Sequence, residues 1–304
     1  MYVTSKQPDL LLEPQKANLE LLKEAIDFVR STSNNESYSD VGRDAIDCCG
    51  TGGSGRSKFN YSTTCAFILA STGQRVVKFG NRSNTGNTGS QDFLDQLGFS
   101  KEVSIEKLYE KTNLAFLNAP SFYPELKVLA RKRKKLKRAT ILNFIGPLLN
   151  PCKPQFRLLG VSNAKMQSEL SKLLQEDISL EKALVVRSNS GLDELDPKDK
   201  NRIYEVDNKS QKSRVYNLSN IDFVQIDNRK KQLSNAETFF SIINGEDTTS
   251  ETFKTLVLNA AAGLMACRRV SGIEEGVEHA QYLLKEGFVK NKFDEFRSTY
   301  NAIA

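Results

Sequence analysis

AIDCCGTGGSG, at residues 45–55, is the stretch that decides the fold, because it joins a short apolar run directly to a cluster of glycines. The run from Ala45 to Cys49 is typical of a buried strand. The glycines that follow allow backbone N–H groups to approach an anion closely. Residues 62–72 then predict an apolar helix that ends at Gly73. Strand, glycine loop and helix in this order predict the first unit of a parallel sheet.

The same order is repeated immediately downstream. Residues 76–79 predict a second strand, again followed by glycine, and residues 90–97 predict a helix that Ser90 caps. Further strands are expected at 115–117, 158–161 and 183–186, antiparallel strands within 200–232, and helix over 9–31 (with Pro14 in its first turn), 124–137 and 251–286. The fold class is therefore α/β, with a mainly parallel central sheet.

Composition excludes several kinds of function. Lysine and arginine total 43 against 37 aspartates and glutamates, and this net charge of +6 suits a phosphorylated substrate without requiring nucleic acid. With His279 as the single histidine, a histidine-based zinc site is excluded, so any metal should be a hard cation held by oxygens. The five cysteines form no CxxC pair, and neither a signal peptide nor a membrane span is evident. A cytoplasmic protein without a membrane partner is expected.

The first candidate site is the glycine loop together with the start of the next helix. Gly50, Thr51, Gly52 and Gly53 follow the first strand, and Asn60, Ser62 and Thr63 stand where the helix begins. A helix N-terminus offers free N–H groups and the positive end of a dipole, so this segment predicts a phosphate site. The alternative is a tight turn with an ordinary helix cap, but the loop and the Ser/Thr-rich helix start together favour the phosphate site.

The second candidate site repeats this arrangement after the second strand. Lys78 and Arg82 add positive charge to a loop that contains Asn81 and leads to the helix start at Ser90. The alternative is a solvated loop, since turns also favour Asn, Gly and Ser. Because parallel strands end at one edge of a sheet, both loops should converge where α/β sheets bind ligands.

Two further motifs are less specific when taken alone. The adjacent carboxylates Asp193 and Glu194, in GLDEL, can share a Mg²⁺ that also binds phosphate oxygens, although such a pair can also be simply solvated. Residues 143–151, NFIGPLLNP, contain a glycine and two prolines that make the segment rigid. This segment is either a structural linker or a hinge.

In their order and in their residues, these segments resemble the motifs of the anthranilate phosphoribosyltransferases of tryptophan biosynthesis. The matching pieces after residue 45 are DCCGTGGSGRSKFNYST, KFGNRSNTGNTGSQDFLDQLG, FLNAPSFYPELKVLARKR, ILNFIGPLLNP, GLDEL and VLNAAAGL. The resemblance implies an enzyme that joins anthranilate, or a related aromatic amine, to 5-phosphoribosyl 1-diphosphate (PRPP) and releases diphosphate. It also implies a homodimer with a small helical domain (residues 1–44 with helix 122–138) and a large α/β domain (residues 45–121 and 139–304).

The resemblance also implies roles for individual residues. Lys78, Asn81 and Arg133 would be the catalytic residues, and Mg²⁺ would be held by Ser62, Asp193 and Glu194. Residues implied to bind PRPP are Gly50, Thr51, Gly52, Gly53, Asn60, Ser62, Thr63, Lys78, Asn81 and Ser90. Residues implied to face the acceptor are Gly50, Phe79, Asn81, Tyr123 and Arg133. A guanidinium such as that of Arg133 can bind a carboxylate through two hydrogen bonds.

Four departures from the family pattern stand out. Phe79 and Tyr123 occupy positions where the family usually has histidine, Ser54 replaces the carboxylate after GTGG, and the N-terminal helical region is short. Catalysis should survive the loss of the histidines, because stabilising charge on the departing diphosphate is the main requirement. Phe79 is expected to stack on an aromatic acceptor.

Two other functions remain as alternatives. The same superfamily includes pyrimidine nucleoside phosphorylases, although the GTGG, KFGN and GLDEL pieces are more similar to the transferases. The basic run at residues 131–138 would suit a nucleic-acid-binding relative, but a charge run on a helix is usually solvated. Retention of both phosphate loops and the acidic pair favours the enzyme, so nucleic acid is not expected to be the partner.

Overall fold

A computed structural model describes residues 11–14, 17–33, 38, 40–52, 59–82, 88–136, 139–207, 210–218 and 233–304. The strands are β1 (Ala45–Gly50), β2 (Arg75–Gly80), β3 (Leu114–Asn118), β4 (Phe156–Gly160), β5 (Lys182–Ser188), β6 (Lys200–Asp207) and β7 (Gln211–Asn217). The helices are α1 (Leu19–Ser31), α2 (Tyr61–Ser71), α3 (Ser90–Gln96), α4 (Ile105–Thr112), α5 (Ala119–Phe122), α6 (Lys127–Leu136), α7 (Ile141–Ile145), α8 (Ala164–Gln175), α9 (Asn235–Ile243), α10 (Glu251–Ala266), α11 (Ile273–Lys285) and α12 (Phe288–Ile303). Short 3₁₀ turns cover Pro124–Leu126 and Gly146–Leu148.

The seven strands form one sheet in the order β3-β2-β1-β4-β5-β6-β7. The pairs from β3 to β5 are parallel, whereas β6 and β7 are antiparallel to their neighbours. This arrangement confirms the expected α/β fold with a mainly parallel sheet. Successive units are added outward from β1 on one side and from β4 on the other. The boundary between β1 and β4 is therefore the topological switch point, where the strand order reverses, and such sheets bind ligands beside it.

Both faces of the sheet are covered, because its central strands are apolar on both sides. Cys48 and Val76 belong to the cluster that packs under α2 and α10, and their neighbours Cys49 and Val77 belong to the cluster on the opposite face. This alternation places each strand residue on a defined face. The side chain of Lys78 therefore lies on the α2 face, and that of Phe79 lies on the other.

The N-terminal helix is shorter than predicted, and the expected start at Pro14 is wrong. It begins at Leu19, because the side chain of Asn18 accepts a hydrogen bond from the N–H of Leu21 at 2.8 Å and caps the first turn. Its buried stripe, which includes Leu22 and Val29, packs in the same cluster as the second sheet face. The division into residues 1–44 with 122–138, and 45–121 with 139–304, stays a prediction.

The predicted helix over residues 251–286 is in fact two helices, α10 and α11. The chain leaves α10 after Ala266, and Arg268 adopts a left-handed conformation with φ of 60°. Gly272 then precedes α11. In the part of the chain that the structure describes, no helix has both the length and the apolar character needed to cross a membrane.

Candidate active site

The two glycine loops meet at the carboxyl edge of the sheet. β1 ends at Gly50 and β2 at Gly80, and α2 and α3 begin after the respective loops. The side-chain amide of Asn60, at the N-cap of α2, donates a hydrogen bond to the carbonyl of Thr88 at 3.3 Å. Thr88 lies just before α3, so this contact joins the starts of the two helices. Gly53 and Ser54 lie outside the described residues.

The acidic pair contacts the first glycine loop directly. The N–H of Gly52 donates to Oδ2 of Asp193 at 2.8 Å. A Cβ at Gly50 would lie 2.5 Å from this same oxygen, and one at Gly160 would lie 1.8 Å from the backbone oxygen of Asp193. Glycine is required at Gly160, where the backbone of the acidic loop passes against β4, and at Gly50 any side chain would have to displace the Asp193 carboxylate.

A buried amide on α10 holds the acidic loop in place. Asn259 accepts a hydrogen bond from the N–H of Leu195 at 3.0 Å and donates one to its carbonyl at 3.0 Å. Glu194 lies near the first turn of α2, where burial, and to a smaller extent the Glu194 charge, raise the pKa of Tyr61 to about 12. The role of Asn259 was not predicted, although an amide inside the apolar run VLNAAAGL is the pattern that indicates a buried anchor.

The first turn of α2 carries a polar group without a partner. Thr63 is fully buried, and its hydroxyl oxygen has no hydrogen-bond partner in the structure. Such a group costs about 1–3 kcal/mol, so nearly all buried hydroxyls are paired. Because it stands in the first turn of an eleven-residue helix, where backbone N–H groups also lack acceptors, a bound anion would supply the missing acceptor.

Lys78 lies beneath the first loop, and only 3% of its surface is exposed. Its Nζ donates to the carbonyl of Cys48 at 3.0 Å, two residues before the glycine loop begins. The thiol of Cys48 in turn donates to the carbonyl of Ser62 at 3.2 Å, on the same face of the sheet. Lys78 therefore places its positive charge between the end of β1 and the start of α2.

The second loop closes on the start of α3. The hydroxyl of Ser90 donates to the carbonyl of Asn81 at 3.3 Å, and the side chain of Asn81 is half-buried. The expectation that Arg82 adds positive charge to the phosphate site is wrong. Its guanidinium is paired with Asp92 at 3.0 Å and with Asp95 at 2.7 Å, so its charge is already balanced at the protein surface.

Phe79 and Tyr123 lie on the face of the sheet opposite Lys78. They are 4% and 3% exposed, and their rings meet edge to face with centroids 6.2 Å apart. The hydroxyl of Tyr123 donates to the carbonyl of Leu149 at 2.6 Å. The structure thus packs both aromatic rings in the core, and their contact with an acceptor stays a prediction.

Arg133 lies on the basic helix α6. It is half-buried, and its guanidinium donates to Oδ1 of Asn143 at 3.3 Å. Burial lowers the pKa of Arg133, but a guanidinium remains charged in proteins. A positive group beside a neutral amide is available to a carboxylate ligand, and its acceptor role stays a prediction.

The oxygens of Ser62, Asp193 and Glu194 are of the kind that Mg²⁺ prefers, and their grouping around a metal stays a prediction. This ion keeps several waters and uses one or two carboxylates together with substrate phosphates. In the described residues, no three His, Cys, Asp or Glu side chains converge into a metal cage. A metal shared between protein and substrate fits this set better than one held by the protein alone.

A cavity of about 300 Å³ lies away from these loops, between α1, the Gly146–Leu148 turn and the end of α8. Its walls include Lys23, Arg30 and Glu176, and no described candidate site residue lines it. Lys23 and Glu176 already form an ion pair at 2.5 Å. The chemistry predicted from the sequence therefore belongs to the sheet edge and not to this cavity.

Fold and site together define a transferase of the sugar-phosphate type, and the chain belongs to the family described as "Glycosyl transferase family, a/b domain", whose profile matches residues 42–289. Within that family the chain is similar to anthranilate phosphoribosyltransferases. It is 33% identical to the enzyme of Syntrophomonas wolfei over 290 residues, which are 91% of this chain and 82% of that protein. It is 34% identical to the enzyme of Methanococcus aeolicus over 277 residues, which are 89% of this chain and 83% of that protein.

Solved structures of this family have the same fold. The anthranilate phosphoribosyltransferase of Thermus thermophilus superposes with a TM-score of 0.80 at 25% identity, covering 94% of this chain and 86% of that chain. The Saccharomyces cerevisiae enzyme in complex with PRPP and Mg superposes with a TM-score of 0.79 at 22% identity, covering 94% and 81%. At that identity, the second likeness is one of fold.

Proposed function

We propose that this protein is a Mg²⁺-dependent phosphoribosyltransferase of tryptophan biosynthesis that joins anthranilate to PRPP and releases diphosphate. The observation that supports the proposal is the hydrogen bond of 2.8 Å between Gly52 and Asp193, which joins the first glycine loop to the acidic loop. Similarity to the two anthranilate phosphoribosyltransferases above supports the choice of reaction.

The first loop and α2 bind the phosphates of PRPP. We expect the first glycine loop, Gly50 to Gly53, and the N-terminus of α2 to bind the diphosphate, and the unpaired hydroxyl of Thr63 to donate to one of its oxygens. Thr51 and Gly52 donate their N–H groups to Gly160 and Asp193, so binding through them requires these hydrogen bonds to be exchanged. Asn60, Ser62, Asn81 and Ser90 complete the site on the sides of the two loops. All are neutral donors, so the substrate brings its own negative charge into a field set by Lys78 and by helix dipoles.

The reaction is a substitution at C1 of the ribose. The amine nitrogen of anthranilate forms a bond to C1 while the bond from C1 to the diphosphate oxygen breaks, and the amine proton then passes to solvent. Negative charge accumulates on the departing oxygen, and the ammonium of Lys78 and the loop amides stabilise it. Both substrates held side by side supply much of the remaining rate enhancement.

Ser62, Asp193 and Glu194 would hold Mg²⁺, and this ion would neutralise charge on the diphosphate. Arg133 would bind the anthranilate carboxylate, and Asn81 would lie between the two substrates. With Phe79 and Tyr123 in the core, the acceptor is oriented mainly by Arg133 in this account. The enzyme therefore selects acceptors that carry a carboxylate next to the amine.

The test is a turnover assay on the purified protein with Mg²⁺, PRPP and anthranilate, alongside a panel of aromatic amines without the carboxylate. We expect equal amounts of anthranilate consumed and diphosphate released, with loss of turnover when EDTA is added. Turnover restricted to another amine would overturn the choice of acceptor. Phosphate-dependent cleavage of thymidine or uridine would identify a nucleoside phosphorylase. Salt-sensitive binding of nucleic acid without turnover would identify a binding protein.

We also propose a cytoplasmic homodimer that assembles through the helical region of residues 1–44 and 122–138. The side chain of Ile178, which lines the cavity beside α1, is 98% exposed, so an apolar group lies on the surface next to the proposed interface. The described cysteines are all unpaired and buried, which suits a reducing compartment. Light scattering coupled to gel filtration should give twice the 34.0 kDa chain mass. A single-chain mass would contradict the dimer.

A further inference from the structure

Strands β1 and β2 separate before they end. They pair only at Ala45 with Arg75 and at Ile46 with Val76, although both strands continue to the glycine loops. On their other sides, both remain fully paired: β1 with β4 through Gly50, and β2 with β3 through Gly80. The sheet is therefore open along one line, directly below the candidate active site.

Side chains replace the missing ladder in this opening. Oδ1 of Asp47 accepts from the N–H of Phe79 at 3.1 Å, and the amide of Asn150 donates to the carbonyl of Val77 at 2.8 Å. The same amide donates to Oδ2 of Asp47 at 2.8 Å, which links the two side chains. The ammonium of Lys78 donates a hydrogen bond to the carbonyl of Cys48 on the other strand. Three of these four contacts fix a backbone group that faces the gap, and the fourth joins the two side chains.

The group is buried, and two cations, Lys78 and Arg157, lie near its one carboxylate. Asp47 is fully buried, and Asn150 and Arg157 are each only 2% exposed. Arg157 lies 3.8 Å from Asp47 and donates to the carbonyl of Pro147 at 3.0 Å. Burying a carboxylate costs free energy even when cations lie nearby. Asn150 is itself fixed, because its Oδ1 accepts from the N–H of Cys152 at 3.0 Å.

We infer that Asp47 and Asn150 form a wedge that holds β1 and β2 apart and thereby sets the position of Lys78 and of the loop from Phe79 to Asn81. Asp47 is a positioning residue in this account, because it acts through the backbone of β2 and does not touch substrate. The rigid segment NFIGPLLNP, which the sequence left as either a linker or a hinge, is here a linker that delivers Asn150 into the sheet. The inference deepens the proposed function and rests on it.

The test compares Asp47→Asn with Ile46→Val, the matched control on the same strand. Asp47→Asn keeps the size of the side chain but removes its charge and one of its acceptors. With the protein saturated in both substrates, we expect kcat to fall about 10- to 100-fold, the range seen when residues that orient catalytic groups are changed. Ile46→Val changes a buried side chain in the core on the α2 face of the sheet, away from the wedge. It should keep kcat within about twofold while lowering the free energy of unfolding by about 0.5–1.5 kcal/mol.

Two further measurements separate positioning from general damage. In a Lys78→Met background, Asp47→Asn should lower kcat by a smaller factor than in the wild type, because part of its effect passes through Lys78. Multiplying effects would overturn the inference, as would a wild-type kcat in folded Asp47→Asn. If Asp47→Asn does not fold, Asn150→Ala carries the same prediction from the other half of the wedge.

The last readout does not depend on activity. Hydrogen exchange followed by mass spectrometry should show faster exchange in Asp47→Asn for the peptide covering residues 77–82, and unchanged exchange for β4 and β5. Ile46→Val should leave that peptide unchanged. An inactive wild type with this exchange pattern would reject the proposed function and keep the wedge. An active wild type with unchanged exchange in Asp47→Asn would reject the wedge alone.

Discussion

Replacing Gly50 by alanine tests the contact between the first glycine loop and the acidic pair. The new Cβ would lie 2.5 Å from Oδ2 of Asp193, whereas ordinary contact begins at 3.4 Å, so the carboxylate must retreat by about 0.9 Å. That movement takes the oxygen out of hydrogen-bond reach of Gly52, from which it now lies 2.8 Å. A displacement near 1 Å in a catalytic group costs about 10²-fold.

We therefore expect kcat/KM for PRPP to fall about 10- to 100-fold in Gly50→Ala, or about 1.4–2.7 kcal/mol of transition-state stabilisation. Crowding should also lower the free energy of unfolding by about 1–3 kcal/mol. Initial rates at varied PRPP and Mg²⁺ measure the first quantity, and urea unfolding measures the second. The control is Gly146→Ala, because its Cβ would meet nothing within 4 Å and its φ of −45° suits alanine. A folded Gly50→Ala protein with wild-type kcat/KM would refute the contact between loop and metal site.

Three other predictions follow from the same geometry. Thr63→Val should raise the free energy of unfolding by about 1 kcal/mol, because it removes an unpaired buried hydroxyl, and it should also raise KM for PRPP. A lower free energy in chemical unfolding, or an unchanged KM in the kinetics, would contradict this prediction. Asp193→Asn and Glu194→Gln should each raise the Mg²⁺ concentration needed for half-maximal rate, and an unchanged Mg²⁺ titration would remove them as ligands. Burial raises the pKa of Cys48 to about 12 and of Cys267 to about 11, so above about pH 9 these thiols ionise in the unfolded chain but not in the folded one. The free energy of unfolding should therefore decrease as the pH rises above about 9, which urea unfolding at neutral and alkaline pH measures.

Much of the sheet followed from local pattern. Gly50 and Gly80 end strands that the apolar runs predict, and α3 begins at Ser90. These features depend on neighbouring residues along the chain, which is the information that periodicity carries. The expectation that Ser90 caps this helix is wrong, because Gly89 is its N-cap and the Ser90 hydroxyl donates to Asn81. The start of α1 was misplaced because Pro14 and Asn18 are both acceptable at a helix start, and only the contact made by Asn18 decides between them.

The parts that could not be predicted depend on contacts between distant segments. Asp47 reads as one polar residue inside a strand, and its partner Asn150 lies more than a hundred positions away. The burial of Phe79 depends on which face of the sheet its side chain lies on. The histidine that the family usually has at this position does not predict that burial. Arg82 was expected to help bind phosphate, but it forms ion pairs with two carboxylates on α3.

The most direct test of the account is a crystal structure of the protein with PRPP and Mg²⁺. The account predicts diphosphate oxygens at the first glycine loop, Gly50–Gly53, and at the start of α2, with the metal bridging them to Asp193 and Glu194. Lys78 should remain in the gap between β1 and β2, within reach of the diphosphate. PRPP bound at the α1 cavity, or a metal without contact to Asp193 or Glu194, would contradict it.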